Sequence, residues 1–412
     1  MRLKLFFCSF LAVLCSTASS AEFSAPMSVA TFSDDIAFLR RHTDIIVLRD
    51  NRGNAQVAVA PSWQGRVMTS AAEGEGGASF GWINRDLISS GELQPHINVF
   101  GGEDRLWLRP EGSQFSIYFA KGMPFSGDHW FVPKALDTLP FKVVSHSSAD
   151  ATLQAEFTLA NYSGTHFQVA IRREVRLLEN VTAWHHLGVA PLDRVALVAY
   201  ESNNTLINAG REAWRKDTGL LSIWILGMFN SSPSATVAVP IKAGSESELG
   251  AKVTTYEAYG AIPPERLKAT GNTIFFRGDG KYRSKIGVNP RRSLGKLGSY
   301  DAARRVLTIV QFSQPQGVND YVNSLWGPQE APYGGDAINS YNDGPPAPGT
   351  KSLGPFFELE SSSPAVALEP GGSLEHTHRT LHLAGPRGEL DSVASAVLGV
   401  SLAQIEAALP SD

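Results

Sequence analysis

Cysteine is almost missing from this chain. Of 412 residues only Cys8 and Cys15 carry a thiol, and both fall within the first 21. That opening stretch reads as an export leader. Arg2 and Lys4 supply the positive start, Leu5 to Cys15 the apolar run, and Ser16 to Ala21 a small-residue exit. Ser19 and Ala21 satisfy the small-x-small cleavage rule, so a mature chain is expected to begin near Glu22. Leu14 stands where a lipoprotein signal wants a small residue, so an exported periplasmic or secreted product is expected rather than a lipid-anchored one. Without its leader the chain has no thiol, which excludes disulfides and cysteine metal sites. A surplus of basic charge is also lacking. Thirty-six basic residues, two of them in the leader, face 40 acidic ones, a mature charge of −6. That balance argues against nucleic acid and anionic membranes as partners. Beyond the leader no apolar run approaches the roughly 18 residues that span a bilayer, so no stable membrane insertion is expected. Neither an internal repeat nor a linker is visible. The Pro/Gly stretch Asp343 to Gly349 lies between motif-dense segments and reads as a surface loop. Residues 22–412 are therefore expected to form one domain after a leader at 1–21.

What the chain does have is a long series of short period-2 segments. A first helix is expected at its start, capped by Ser33, with Asp34 and Asp35 at its positive end and Arg40, Arg41 and His42 at the other. Asp44 to Arg49 and Ala55 to Ala60 then flank Asp50-Asn-Arg-Gly53, a hairpin signature. Strands are expected at Trp63 to Met68, Phe115 to Phe119, Phe141 to Ser145, Ala151 to Ala160, His166 to Leu177 and Thr182 to Val189. Further strands are expected at Val195 to Tyr200, Leu220 to Leu226, Thr236 to Pro240, Thr273 to Arg277 and Val306 to Phe312. A closing helix is expected over Leu390 to Leu409, where Leu390, Val393, Val397, Val400 and Ile405 make an apolar stripe. Many short strands with scattered turns predict an all-β, large antiparallel sandwich with short terminal helices.

The densest chemistry lies in Gly354 to Leu383. Glu358 and Glu360 sit two apart in a strand-like run, so both carboxylates point to one face of a sheet. A Ser-rich corner, a second strand, the turn Glu369-Pro-Gly-Gly372 and a last strand from Leu374 are expected to follow. Other segments are rich in polar and aromatic residues. In Gln94 to Glu111, His96, Glu103, Arg105 and Trp107 offer a titratable group, hydrogen bonds and a stacking plane around a double glycine. Asn203 and Asn204, beside Glu201, suit sugar hydroxyls, although an Asx-type turn also explains them. Lys281 and Arg283 alternate onto one face and could bind an anionic group such as a uronate, or could be solvated. Trp326, Tyr341, Asn342 and Asp343 have the composition of a sugar-binding rim, where ring faces pack on pyranose C–H groups. His376, His378 and His382 alternate on the final strand. A His-x-His pair needs a third metal ligand, so a half-exposed strand without metal is expected. No Gly-x-Ser-x-Gly elbow supports a serine hydrolase.

Leu359-Glu360-Ser, Ser363-Pro-Ala365, Leu368-x-Pro370-Gly371 and the His/Thr-bearing last strand resemble the C-terminal signature of the aldose 1-epimerase (galactose mutarotase-like) superfamily. Val59 to Val67 looks like its early strand pair, and Phe100-Gly-Gly-Glu-Asp-Arg-Leu-Trp107 like its central Gly-Gly…Trp block. The resemblance implies an exported branch with a β-supersandwich, a sugar-sized cleft and no required cofactor. It also implies that Glu360 is the catalytic base, with Glu358 as the neighbouring alternative. The chain departs from the pattern at one place. The family's general acid is a histidine in an Asn-His segment, and Asn203-Asn204 stand there, so His96 or Glu201 is expected to act as acid. The expected partner is a mono- or oligosaccharide, and the lead expectation is acid/base chemistry at the anomeric carbon. Alternatives are a sugar-binding protein that kept the cleft without turnover, and a glycosidase or lyase using paired carboxylates.

Overall fold

The computed structural model describes residues 30–347 and 349–410. The expected leader, with Cys8 and Cys15, lies outside the described residues. The chain forms three antiparallel sheets. A three-stranded sheet joins Ile46–Arg49, Gln56–Ala60 and Arg66–Ala71, with the expected hairpin turning at Gly53, where φ is 72°. A ten-stranded sheet runs in the order Leu267–Thr270, Thr273–Arg277, Ala235–Pro240, Lys296–Asp301, Val306–Phe312, Ser373–Ala384, Ala196–Asn208, His166–Leu177, Asp150–Ala160, Lys142–His146. A six-stranded sheet runs Thr254–Thr255, Ser284–Val288, Ile338–Asn342, Phe356–Ser362, Ser222–Asn230, Arg105–Arg109. This is the expected all-β sandwich.

Alternation explains why the two large sheets pack. Along Phe356–Ser362, Phe357 and Leu359 point one way and Glu358 and Glu360 the other. The apolar side meets the ten-stranded sheet: Phe357, Leu359, Ile286 and Ile338 share a core with Val237, Val239, Phe276 and Val310. Leu106, Leu108, Ile223 and Ile225 likewise pack with Val169, Ile171 and Leu206. Each such side chain contributes ~1.5–3 kcal/mol of burial. The opposite side of the strand is therefore free to be polar.

Several local expectations are corrected. Thr31, not Ser33, caps the first helix Phe32–Leu39, in a capping box with Asp34. The expected strand Thr182 to Val189 is a helix, Asn180–Leu187, ended by Gly188 in the left-handed region at φ 69°. Its Ala183, Trp184 and Leu187 are buried against Leu197 and Leu390, and this packing overrides the strand preference of Val181 and Thr182. The expected closing helix is two helices, Arg387–Leu398 and Leu402–Ala408, broken where Gly399 takes φ 71° and Ser401 caps anew with Gln404. Their stripe of Leu390, Val393, Leu402 and Ile405 covers the outer face of the ten-stranded sheet at Ile309, Leu381 and Leu383. No strand forms at Phe115 to Phe119 or between Ser363 and Leu368, where Pro364 has no N–H to give to a ladder. No single helix among the described residues is long and apolar enough to cross a membrane.

Candidate active site

Register brings the polar residues together. Glu360 lies opposite Leu226 on one side and Asn339 on the other, and Leu226 in turn lies opposite Arg105. Glu358 is flanked by Met228 and Tyr341, and Tyr341 by Lys285. Residues directly opposite in a ladder share a face, and alternation adds Trp107, Arg109 and Trp224. One face of the six-stranded sheet thus carries Arg105, Trp107, Arg109, Trp224, Lys285, Asn339, Tyr341, Glu358 and Glu360. All of them are buried.

Glu360 is held at one oxygen only. Its Oε2 accepts from the indole Nε1 of Trp224 at 2.8 Å and from Lys285 Nζ at 3.2 Å, with Arg109 Nη2 at 3.9 Å. Its Oε1 has no hydrogen-bond partner among the described residues. Arg109 and Lys285 also lie over the Trp224 ring, at 4.0 and 4.6 Å from its centroid. Behind Arg109 runs a relay of buried hydrogen bonds. Its Nη2 donates to Asn339 Oδ1 at 2.7 Å, Asn339 Nδ2 donates to the Tyr256 hydroxyl at 3.1 Å, and Tyr256 donates to Asp336. Burial raises the Asp336 carboxyl above its ordinary range, against the pull of Tyr256 and Arg109.

Glu358 is placed differently. Its Oε1 accepts from Arg105 Nη2 at 2.9 Å. Burial pushes its carboxyl up to about 8, Arg105 opposing, and the charge of Glu360 and a hydrogen bond to the Glu360 carboxyl adding to the rise. Near neutral pH Glu358 therefore retains a proton, while Glu360 is anchored by Trp224 and Lys285.

Aromatic rings from outside the sheet close the space above this face. Trp130 lies 6.4 Å from Trp107 and stacks on Tyr118 at 5.7 Å and on Trp326 at 6.4 Å. Trp326 Nε1 donates to Glu111 Oε1 at 3.3 Å. Nε and Nη1 of Arg105, Nε of Arg109, Nε1 of Trp107 and Trp130, and Oε2 of Glu111 are, like Oε1 of Glu360, buried without a partner among the described residues. Native interiors seldom leave such groups unmet, and here they gather in one place. An open cavity of about 950 Å³ lies elsewhere and includes Arg49, Glu73, Trp184 and Arg194 in its lining. None of its lining residues carries an unpartnered buried polar atom among the described residues, which separates it from this site.

Of the residues expected from sequence, Glu358, Glu360, Arg105, Trp107 and Tyr341 share this face, and Trp326 belongs to the aromatic cover. Tyr341 donates to Asp343 Oδ1 at 2.6 Å, and Asp343 Oδ2 also accepts from the Gly354 amide at 2.8 Å. Arg283 lies over Tyr259, 4.6 Å from its ring. Others are not brought to Glu360. His96 gives its Nδ1 to a 2.7 Å hydrogen bond with the Trp130 carbonyl and stacks on Phe131, and it makes no hydrogen bond or ion pair with Glu360. Glu201 is corrected as the acid, because its strand belongs to the ten-stranded sheet. Burial opposes its ionisation, yet hydrogen bonds from Arg176 and Arg379 hold its carboxyl below the ordinary range.

Glu103 is taken up between the small and the ten-stranded sheets, accepting from Ser70, from Tyr200 at 3.0 Å and from His382 at 3.1 Å. Asn204 holds Arg173 at 2.6 Å, and Arg173 is ion-paired with Asp104 in the interior. Asn203 accepts from Thr377 beside a separate cavity of about 250 Å³. Asn342 points to the other face and latches the turn at Asp279 and Gly280, while Lys281 is exposed. The half-exposed strand expected at His376 to His382 is corrected too. These histidines are buried between the sheets, and Ser361 Oγ lies 2.8 Å from both His376 Nε2 and His378 Nδ1. Desolvation lowers His376 to about 3 and His378 to about 4, so both stay neutral. Among the described residues no group of three His, Cys, Asp or Glu is arranged to hold a metal ion.

Sequence reasoning missed Arg109, Lys285, Trp224 and Asn339. Two carried a usable signal. Arg109 continues the alternation of Arg105 and Trp107, and Lys285 that of Arg283. Trp224 and Asn339 are joined to Glu360 only by long-range pairing.

The chain is similar to several solved structures. The Slr1438 protein of Synechocystis sp. PCC 6803 is 12% identical over 84% of this chain and 96% of that one, with a TM-score of 0.47. A galactose mutarotase-like protein of Lactobacillus casei ATCC 334 is 10% identical over 82% and 100%, with a TM-score of 0.46. A galactose mutarotase related enzyme of Lactobacillus acidophilus is 10% identical over 82% and 97%, with a TM-score of 0.45. No curated protein matches the sequence. Residues 30–409, nearly the whole described chain, match the family described as Family of unknown function (DUF6786), and the chain belongs to that family.

Proposed function

We propose that this is an exported carbohydrate-active protein that performs acid–base chemistry at the anomeric carbon of a sugar, with Glu360 as base and Glu358 as acid. The observation that carries the reading is the pair itself: two buried same-face carboxyls beside aromatic rings, held by different partners, with the proton of Glu358 retained by burial. Glu360, anchored at Oε2 by Trp224 and Lys285 and hydrogen-bonded to the protonated Glu358 carboxyl beside it, takes the anomeric hydroxyl proton. Glu358, with its carboxyl pushed up to about 8, holds a proton to give to the ring oxygen. The ring opens, the aldehyde turns, and reclosure returns each proton. Pairs of titratable groups pushed apart by their surroundings are how such roles are divided. The unpartnered N–H and carboxylate atoms supply hydrogen bonds for hydroxyls, and Trp107 and Trp130 supply ring faces. The Leu359-Glu360-Ser resemblance supports the same assignment. In this reading Glu358 takes the place of the missing Asn-His acid.

The test is anomer exchange followed by NMR on a panel of free neutral and acidic sugars. The expected result is acceleration over buffer that falls ~10²–10⁴-fold in Glu360→Gln. No acceleration on any sugar would sink the reading, and binding that survives Glu360→Gln without turnover would replace it with a sugar-binding protein.

A further inference from the structure

The donor–acceptor balance of the site says what kind of sugar fits it. Five buried N–H donors lack a partner among the described residues: Nε and Nη1 of Arg105, Nε of Arg109, and Nε1 of Trp107 and Trp130. Against them stand two unpartnered carboxylate oxygens, Oε1 of Glu360 and Oε2 of Glu111. The hydroxyls of Ser222 and Ser362, also unpartnered, can play either part. A sugar hydroxyl both donates and accepts. A neutral pyranose can meet these N–H groups with its lone pairs, but every hydroxyl also brings an O–H donor, and only two carboxylate oxygens stand free to accept. A carboxylate only accepts.

Arg105 is the group best placed to receive one. Its side chain is 3% exposed, one nitrogen holds Glu358, its guanidinium lies 4.2 Å from the Trp107 ring centroid, and two N–H positions remain unused. Arg109 is already tied to Val322 O at 3.0 Å and to Asn339, leaving only Nε. Glu360 and Glu111 both lie near enough to act on the Tyr259 hydroxyl, so a dianionic phosphate meets more repulsion there than a monoanion. We propose that the site takes a sugar bearing a carboxylate, a hexuronate, and that Arg105 binds that carboxylate. The inference rests on the acid–base reading of the same site and names its substrate class.

The experiment titrates the full chain with galacturonate and glucuronate, with their neutral parents galactose and glucose, and with the corresponding 6-phosphates. Anomer exchange is measured on each in parallel. The expected result is uronate binding at least about 10-fold tighter than the neutral parent, as a charge-assisted hydrogen bond provides. Arg105→Lys, which keeps a cation beside Glu358, is expected to weaken uronate binding by about 10–100-fold. Should that variant not fold, the ligand comparison on the unaltered chain decides alone. Equal or tighter binding of neutral or phosphorylated sugars overturns the inference and leaves the acid–base reading standing. Uronate binding without Glu360-dependent exchange does the reverse. Binding of no sugar overturns both.

Discussion

Replacing Glu358 by glutamine separates the proton held in the site from every other contribution to stability. The side chain is buried, and its carboxyl is raised from 4.5 to about 8, first by burial and then by Glu360 against the pull of Arg105. Each unit of such a shift corresponds to ~1.4 kcal/mol, so the folded state's hold on this proton is worth on the order of 4–5 kcal/mol. The sign follows from proton counting. Between pH 4.5 and about 8 the folded chain keeps a proton that the unfolded chain releases. Folding stability supported by that proton is complete below the lower value, falls as pH rises through the window, and levels off above it. Glutamine has no proton to lose, and its carbonyl can still accept from Arg105. Urea unfolding of both proteins from pH 4.5 to 9 gives a difference curve in which titrating groups away from the Glu358–Glu360 pair cancel. Near pH 4.5 the two should be alike. The variant should then gain by about 1 kcal/mol per unit up to pH 8 relative to the unaltered chain, after allowance for relaxation around the site. Parallel pH curves would refute the assignment of Glu358 as a carboxyl protonated at neutral pH. The same variant should lose ~10²–10⁴-fold in anomer exchange, and the unaltered protein should lose activity as Glu358 ionises above about pH 8.

Two further outcomes follow from the anchors of Glu360 and Arg109. Trp224→Phe removes the N–H that Glu360 Oε2 accepts and part of the ring beneath Arg109 and Lys285, so exchange should drop about 10-fold or more, with ~1–3 kcal/mol lost in urea unfolding. Gly287→Ala places a methyl 2.2 Å from Asp336 Oδ2 and 2.9 Å from the Tyr256 hydroxyl. The relay behind Arg109 should be displaced, with ~1–3 kcal/mol lost in urea unfolding and a parallel loss of activity.

How much of this was legible from the chain depends on the range of the interaction. Period-2 alternation put Glu358 and Glu360 on one face and Arg105 beside Trp107, because that rule needs only neighbouring residues. It failed at Asn180–Leu187, where β-branched residues sit in a helix held by Trp184 and Leu187 in the core. It also could not say which sheet a strand joins. Glu201 and Glu103 have the composition of site residues, yet Arg176, Arg379, Ser70 and His382 claim them in other layers. Lys285 and Trp224 reach Glu360 across 75 and 136 residues of chain, a distance no local pattern spans. In sequence Glu358 is the neighbouring alternative to Glu360, and their partners, Arg105 for one and Trp224 and Lys285 for the other, are what distinguish them.

Ser361, one residue beyond Glu360, faces away from it and meets His376 and His378 in the seam between the sheets. A shift of this strand by a single residue would exchange the two faces, driving carboxylates into the apolar seam and leucine into the polar pocket. The serine–histidine contact makes that threading error costly from the rear as well as the front. Glu360 therefore owes its position as much to the uncharged histidines behind it as to the cations before it. Selection on Ser361 would then register as selection on chemistry it never touches.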